Sequence, residues 1–138
     1  MYRTAVMCCL LSCFMVGCGS GSTGPQTYAV SGTVTFDGQP VKSGDILFEP
    51  EAKGESPDGG KITDGKFSFR AKQGKMKVKI SASREVPGKT TKGAMGEEIV
   101  TKEDFIPERY NATTELSETV KTSGNTFTFA LKGDEAPR

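Results

Sequence analysis

Histidine and tryptophan are absent from this 138-residue chain, and cysteine is absent beyond position 18. Without histidine the chain lacks the one side chain that titrates unperturbed near neutral pH. Most general acid–base chemistry and the commonest transition-metal ligand are thereby excluded. Without tryptophan, any aromatic platform for a sugar would rest on Tyr28 and Tyr110, the only tyrosines beyond the N-terminal segment. A surplus of either charge is lacking too, since 18 Lys and Arg against 17 Asp and Glu give a formal net charge of +1. Nucleic-acid binding normally needs a clustered basic excess that releases counterions, so no nucleic-acid partner is expected. The length suits one domain around one core.

What is present begins with an address. Arg3 precedes an apolar stretch from Thr4 to Gly17, which ends at Gly17-Cys18-Gly19-Ser20. A positive start, roughly 7–15 apolar residues and small residues at the end make a secretory signal, whereas a membrane-spanning helix needs about 20. Met15-Val16-Gly17-Cys18 resembles the lipobox of bacterial lipoprotein signal peptides, with Met15 where leucine is usual. That resemblance implies that the Cys18 thiol receives a diacylglycerol, that residues 1–17 are cut away, and that the new amino terminus is acylated, for example with palmitate. Cys8, Cys9 and Cys13 then leave with the signal, and loss of Arg3 balances the remaining charges. The exported chain could form no internal disulfide, so its stability would have to come from its core. Residues 18–27 form the lipidated cysteine and a Gly/Ser tether whose coil spans about 16 Å. The expected location is the bacterial cell envelope, lipid-anchored to a membrane after export.

From Tyr28 the apolar residues alternate. Tyr28, Val30, Val34 and Phe36 share one face of a strand, and Ser31, Thr33 and Thr35 the other. Asp37-Gly38-Gln39-Pro40 predicts a turn, and Asp45 to Glu49 a second strand stopped by Pro50. Glu51 to Gly60 predicts a polar loop. Asp64-Gly65 between Lys61-Ile62-Thr63 and Lys66 to Arg70 is a strong hairpin signal. Lys75 to Ser83 predicts a strand with Met76, Val78, Ile80 and Ala82 inward and Lys75, Lys77 and Lys79 outward. Glu115 to Lys121 and Thr126 to Lys132 predict a closing hairpin around Ser123-Gly124-Asn125, with Phe127, Phe129 and Leu131 inward. About seven short strands and no convincing helix predict a single all-β domain at 28–133, a seven-stranded antiparallel β-sandwich, followed by a tail at 134–138.

Val30-Ser31-Gly32-Thr33-Val34, Asp37-Gly38-Gln39-Pro40-Val41 and Gly44-Asp45-Ile46-Leu47-Phe48 resemble the opening of carboxypeptidase regulatory-like domains. Thr63-Asp64-Gly65-Lys66-Phe67 and Gly74-Lys75-Met76-Lys77-Val78-Lys79-Ile80 are similar to their second signature, with a turn one residue tighter and Met76 in place of an aromatic. Phe105-Ile106-Pro107-Glu108-Arg109-Tyr110-Asn111 and Gly124-Asn125-Thr126-Phe127-Thr128-Phe129 resemble small bacterial lipoproteins that carry this domain alone. The resemblance implies a transthyretin-like, prealbumin-type (Ig-like) sandwich. It implies no peptidase, because that domain flanks the catalyst and the zinc-binding His-x-x-Glu pair is missing here.

Two sets of residues are candidates for binding. Lys75, Lys77 and Lys79 form a basic stripe that would suit an anionic partner, or simply a solvated strand face. The connection from Arg84 to Arg109 is long, and such loops are often functional. Arg84, Lys89 and Lys92 make its first part basic; Glu97, Glu98, Glu103 and Asp104 make its second part acidic. Ile99, Val100, Phe105 and Ile106 predict that the second part docks on the sandwich. Tyr110 is expected to pack there, with its hydroxyl finding a backbone acceptor. Asp58, Asp64, Glu51 and Glu55 match no calcium-loop spacing, and no metal, cofactor or catalytic residue is expected. The resulting expectation is a non-enzymatic, membrane-anchored envelope lipoprotein whose β-domain is a structural or interaction module. The alternative is a lipoprotein that binds carbohydrate or another envelope polymer, and an envelope protein or polysaccharide is the expected partner beside the membrane.

Overall fold

The computed structural model describes residues 24–133. The expected signal peptide, Cys18, most of the expected tether and the 134–138 tail lie outside the described residues. The fold is all-β, with ten strands rather than seven: β1 (Thr27–Phe36), β2 (Gln39–Pro40), β3 (Ser43–Pro50), β4 (Asp58–Thr63), β5 (Lys66–Lys72), β6 (Gly74–Ser81), β7 (Ser83–Lys92), β8 (Glu98–Asp104), β9 (Ser117–Val120) and β10 (Asn125–Leu131). One 3-10 turn, Glu108–Tyr110, follows β8. Among the described residues no helix is long and apolar enough to cross a membrane.

Eight strands form one curled sheet in the order β10-β1-β5-β4-β3-β6-β9, with β2 paired to β1; β7 and β8 form a separate two-stranded sheet. The two Asp-Gly turns form as their sequence predicts. Asp64 and Gly65 have φ of 48° and 73°, the double positive φ of a type I′ turn, and Thr63 pairs with Lys66 across it. Asp37 and Gly38 repeat this geometry between Phe36 and Gln39. The polar loop expected as far as Gly60 ends earlier, because Asp58–Gly60 already pair with β3.

The closing hairpin does not form. β9 pairs antiparallel with β6, whereas β10 pairs with β1 in parallel, so the sheet is not wholly antiparallel. The two strands lie on opposite edges of the curled sheet, and residues 121–124 carry the chain from one edge to the other. Asn125 makes this crossing feasible. Its side-chain Oδ1 accepts from the Lys121 N–H at 2.7 Å, and its Nδ2 donates to the Lys121 and Ala29 carbonyls at 2.8 and 3.2 Å. A side-chain amide thus satisfies the Lys121 backbone groups that a hairpin ladder would have paired. Asn125, which reads in sequence as a turn residue, is 5% exposed.

Alternation places the core. Val30 and Val34 from β1, Ile46 and Phe48 from β3, and Met76, Val78 and Ile80 from β6 are all essentially buried. Phe48 sits at the centre, with the Phe69 and Phe127 rings 5.2 and 5.8 Å away. All seven phenylalanines beyond the N-terminal segment belong to the core or pack against it. None of the buried core residues lies between positions 83 and 104.

Candidate functional site

The strand order defines two ends of the body. β1 enters at Thr27, whose register partner is Lys72. Gly74 opens β6 two residues beyond Lys72, so β6 starts beside the chain's entry into the sheet and runs to Ser81 at the far end. There the chain continues as β7. The Phe36 and Phe105 rings meet edge to face at 5.3 Å, which ties the far end of β1 to the point where β8 returns. Phe105 N–H donates to the Ala82 carbonyl and closes the base.

Between these points lies a hairpin, not the loop expected over Arg84 to Arg109. β7 and β8 pair antiparallel from Ser83↔Asp104 to Lys92↔Glu98, with a bulge where the register shifts between Glu85 and Thr90. Ten β7 residues reach about 33 Å at 3.3 Å per residue, less what the bulge removes. The division of charge seen in sequence is a cross-strand arrangement. Arg84 stands opposite Glu103, Glu85 opposite Lys102, and Lys92 opposite Glu98. Arg84 and Glu103 are in contact at 2.8 Å, and opposite charges facing across a ladder favour one register. Lys89 lies in the bulge. Glu97 serves the tip: its carboxylate accepts from the Met95 N–H at 3.0 Å, inside a turn closed by Gly93 N–H donating to Glu97 O.

Ile99 and Val100 do not dock on the body; they are 50% and 42% exposed, while Met95 at the tip is 94% exposed. The periodicity was insufficient here because Ile99 and Val100 are adjacent and therefore point to opposite faces of a thin ribbon. Phe105 and Ile106 do pack on the core as expected. The arm is thus an exposed two-stranded ribbon rooted at the end opposite Thr27.

Its root is shaped. On one side Phe36, Pro40, Val41 and Phe105 floor a groove of ≈ 660 Å³ that Lys42 and Lys102 rim. On the other, a groove of ≈ 770 Å³ is lined by Asp37, Glu103, Asp104 and Glu108. Arg84 stands on the ridge between them, its guanidinium 5.7 Å from the Phe105 ring centre. The first groove is of mixed charge, since Glu85 lines it beside the two lysines, and the second is mainly acidic, with Arg84 bordering both.

Tyr110 lies away from the ribbon and takes the opposite hydrogen-bonding role to the one expected: its hydroxyl accepts, from the Lys132 N–H at 3.2 Å. That bond, followed by the Arg109 side chain, lowers the phenol pKa from its ordinary value of 10.0. Arg109 covers the ring at 5.0 Å and donates to the Lys132 and Gly133 carbonyls at 2.6 and 2.8 Å. The pair fastens the end of β10 rather than presenting a ring face. Tyr28 is half-buried against the core.

The lysine stripe is on the outer face of β6, as predicted, but β3 and the turn after it supply counter-charges. Lys79 meets Glu49 at 2.6 Å and Lys75 meets Glu51 at 3.1 Å, while Lys77 is the register partner of Glu49. The stripe is part of a mixed-charge surface. Glu49 has its pKa lowered from the ordinary 4.5, first by the hydrogen bond from Lys79 and then by its charge. A depressed carboxylate contributes stability above its unfolded pKa and loses it as pH falls through the folded value. Glu49→Gln should therefore melt slightly below the parent at pH 7, with the gap closing as pH falls through the lowered Glu49 pKa, which paired thermal melts across the acid range would check. A gap that persists or widens in acid would contradict this pairing. Among the described residues no group of three or more His, Cys, Asp or Glu is placed to hold a metal ion.

No family model matches this chain. No curated protein matches it either. Among solved structures it is similar to the crystal structure of a 9R-lipoxygenase from Cyanothece, at 12% identity and a TM-score of 0.34, over 80% of this chain and 17% of that one. The chain spans under a fifth of the lipoxygenase, and a likeness this slight carries no argument about fold or function.

Proposed function

We propose that this chain is a non-enzymatic, lipid-anchored protein of the bacterial envelope, with a transthyretin-like β-sandwich of the carboxypeptidase regulatory-like kind as its body and the β7–β8 arm as its interaction element. One observation carries the reading: the arm leaves the body at the end opposite Thr27, where the tether enters. A body anchored through Cys18 would hold its arm away from its own membrane, toward other envelope components. The absence of histidine and the Met15-Val16-Gly17-Cys18 motif support the same reading. A glycan site has less support, since Tyr28 packs on the core and Tyr110 is capped by Arg109.

Two measurements test it. Cys18→Ala should abolish processing by the lipoprotein peptidase and release the chain from membranes; a variant that stays membrane-bound would overturn the anchor. Replacing residues 86–101 by a short turn should remove the chain's cross-links to envelope components. Because the arm holds none of the buried core, the trimmed body should melt within about 4 °C of the parent. Unchanged cross-links would overturn the arm's role.

A further inference from the structure

The two outer edges of the arm differ. β7 is blunted by the bulge and by Pro87, which has no N–H to offer, both devices that discourage edge pairing. β8 has neither. Its sequence Glu98-Ile99-Val100-Thr101-Lys102 is β-branched at the centre, carries opposite charges at its ends, and pairs only with β7 among the described residues. An unpaired edge of this composition is a template for another strand.

We propose that the partner strand is β8 of a second copy of this chain, paired antiparallel about Val100. The assignment rests on reading the arm as an interaction element and names what it binds. A two-fold contact requires a surface that complements itself, each residue meeting a partner that meets it in return. Centred on Val100, β8 meets that demand: Glu98 faces Lys102, Ile99 faces Thr101, and Val100 faces Val100. The pattern extends across both arms, because Lys92 is opposite Glu98 and Glu85 opposite Lys102 within each one. The resulting four-stranded sheet carries the row Lys92, Glu98, Lys102, Glu85, with alternating charge throughout, and its symmetry mate. Between them runs the uncharged row Thr90, Val100, Val100, Thr90. Registers shifted by one or two residues toward Asp104 set Glu98 opposite Glu103 or Asp104, and like charges directly opposite are destabilising. Beyond these five residues the same register brings Glu103 opposite Glu97 at the tip turn, so the pairing is confined to residues 98–102, where it is favoured over registers shifted toward Asp104. Pairing would also set the exposed Val100 side chains of the two copies against each other.

The test uses the purified full chain in detergent, its mass followed by analytical ultracentrifugation across a concentration series. The parent should shift reversibly from monomer to dimer, and amide hydrogen exchange across residues 98–102 should slow as concentration rises. Glu98→Lys and Lys102→Glu each set like charges opposite in both rows, and each should weaken dimerisation at least about tenfold. Their equimolar mixture restores opposite charges in both rows and should dimerise again. Single variants as dimeric as the parent, a mixture that stays monomeric, or exchange at 98–102 that ignores concentration would each overturn the proposal. If the parent is monomeric while trimming the arm still removes cross-links to other envelope components, self-pairing falls and the arm's role stands. If trimming removes nothing either, both fall.

Discussion

Gly32→Ala is expected to destabilise the body by about 3 kcal/mol or more, lowering the melting temperature by about 12 °C or preventing folding. Gly32 lies in the middle of β1, between Phe127 on β10 and Phe67 on β5. A Cβ there would stand 1.9 Å from the Phe127 carbonyl oxygen and 2.7 Å from Phe67 Cζ, where ordinary contact begins at 3.4 Å. A phenylalanine ring can tilt, but the carbonyl is part of the ladder. Relief requires β10 to back away from β1 by more than an ångström, against the Val34↔Phe129 and Phe36↔Leu131 pairs whose side chains fill the core. Thermal unfolding by far-UV circular dichroism checks this. An alanine variant that melts within about 4 °C of the parent would show that the parallel pair can spread without penalty.

The second large effect is expected at Asn125. Asn125→Asp should cost about 2–4 kcal/mol, and more than Asn125→Ala. The amide makes three hydrogen bonds in a site 5% exposed, and two of them are donated to the Lys121 and Ala29 carbonyls. A carboxylate has nothing to donate and would face both oxygens with a negative charge. Alanine merely leaves the backbone groups unpaired. The order Asn above Ala above Asp in denaturant midpoint is the diagnostic result. Equal stability of the two variants would mean that water replaces the amide and that the β9-to-β10 crossing does not depend on it.

These two residues also mark where reading the chain in order stops being informative. The Asp64-Gly65 hairpin, the β3 and β6 strands and the inward set Met76, Val78, Ile80 and Ala82 were legible, because a turn dipeptide and a period of two are local properties. The end of the chain misleads for the same reason. Two alternating runs around Ser123-Gly124-Asn125 read as a hairpin, and nothing local reveals that they belong to opposite edges of a curled sheet. The glycine in Val30-Ser31-Gly32 shows no packing role in the sequence, and acquires one only when β10 is placed against it.

The candidate site divides similarly. The charge asymmetry from Arg84 to Asp104 was visible, yet its meaning required the register that sets Arg84 against Glu103 and Lys92 against Glu98. The lysines of β6 were correctly placed outward, but Glu49 and Glu51, distant in sequence, turn a basic stripe into a mixed surface.

By itself, the sequence determined the class and local grammar of this protein: all-β, lacking histidine, with I′ turns at Asp-Gly and a phenylalanine-rich core. Those follow from side-chain alternation and backbone preference, which act over a few residues. Only the tertiary structure decided that β10 joins β1 in parallel, that the edges meet at Asn125, and that the segment from Ser83 to Asp104 is an exposed arm. Those outcomes depend on which strands bury their apolar faces against one another, a competition among residues far apart in the chain that no local pattern records.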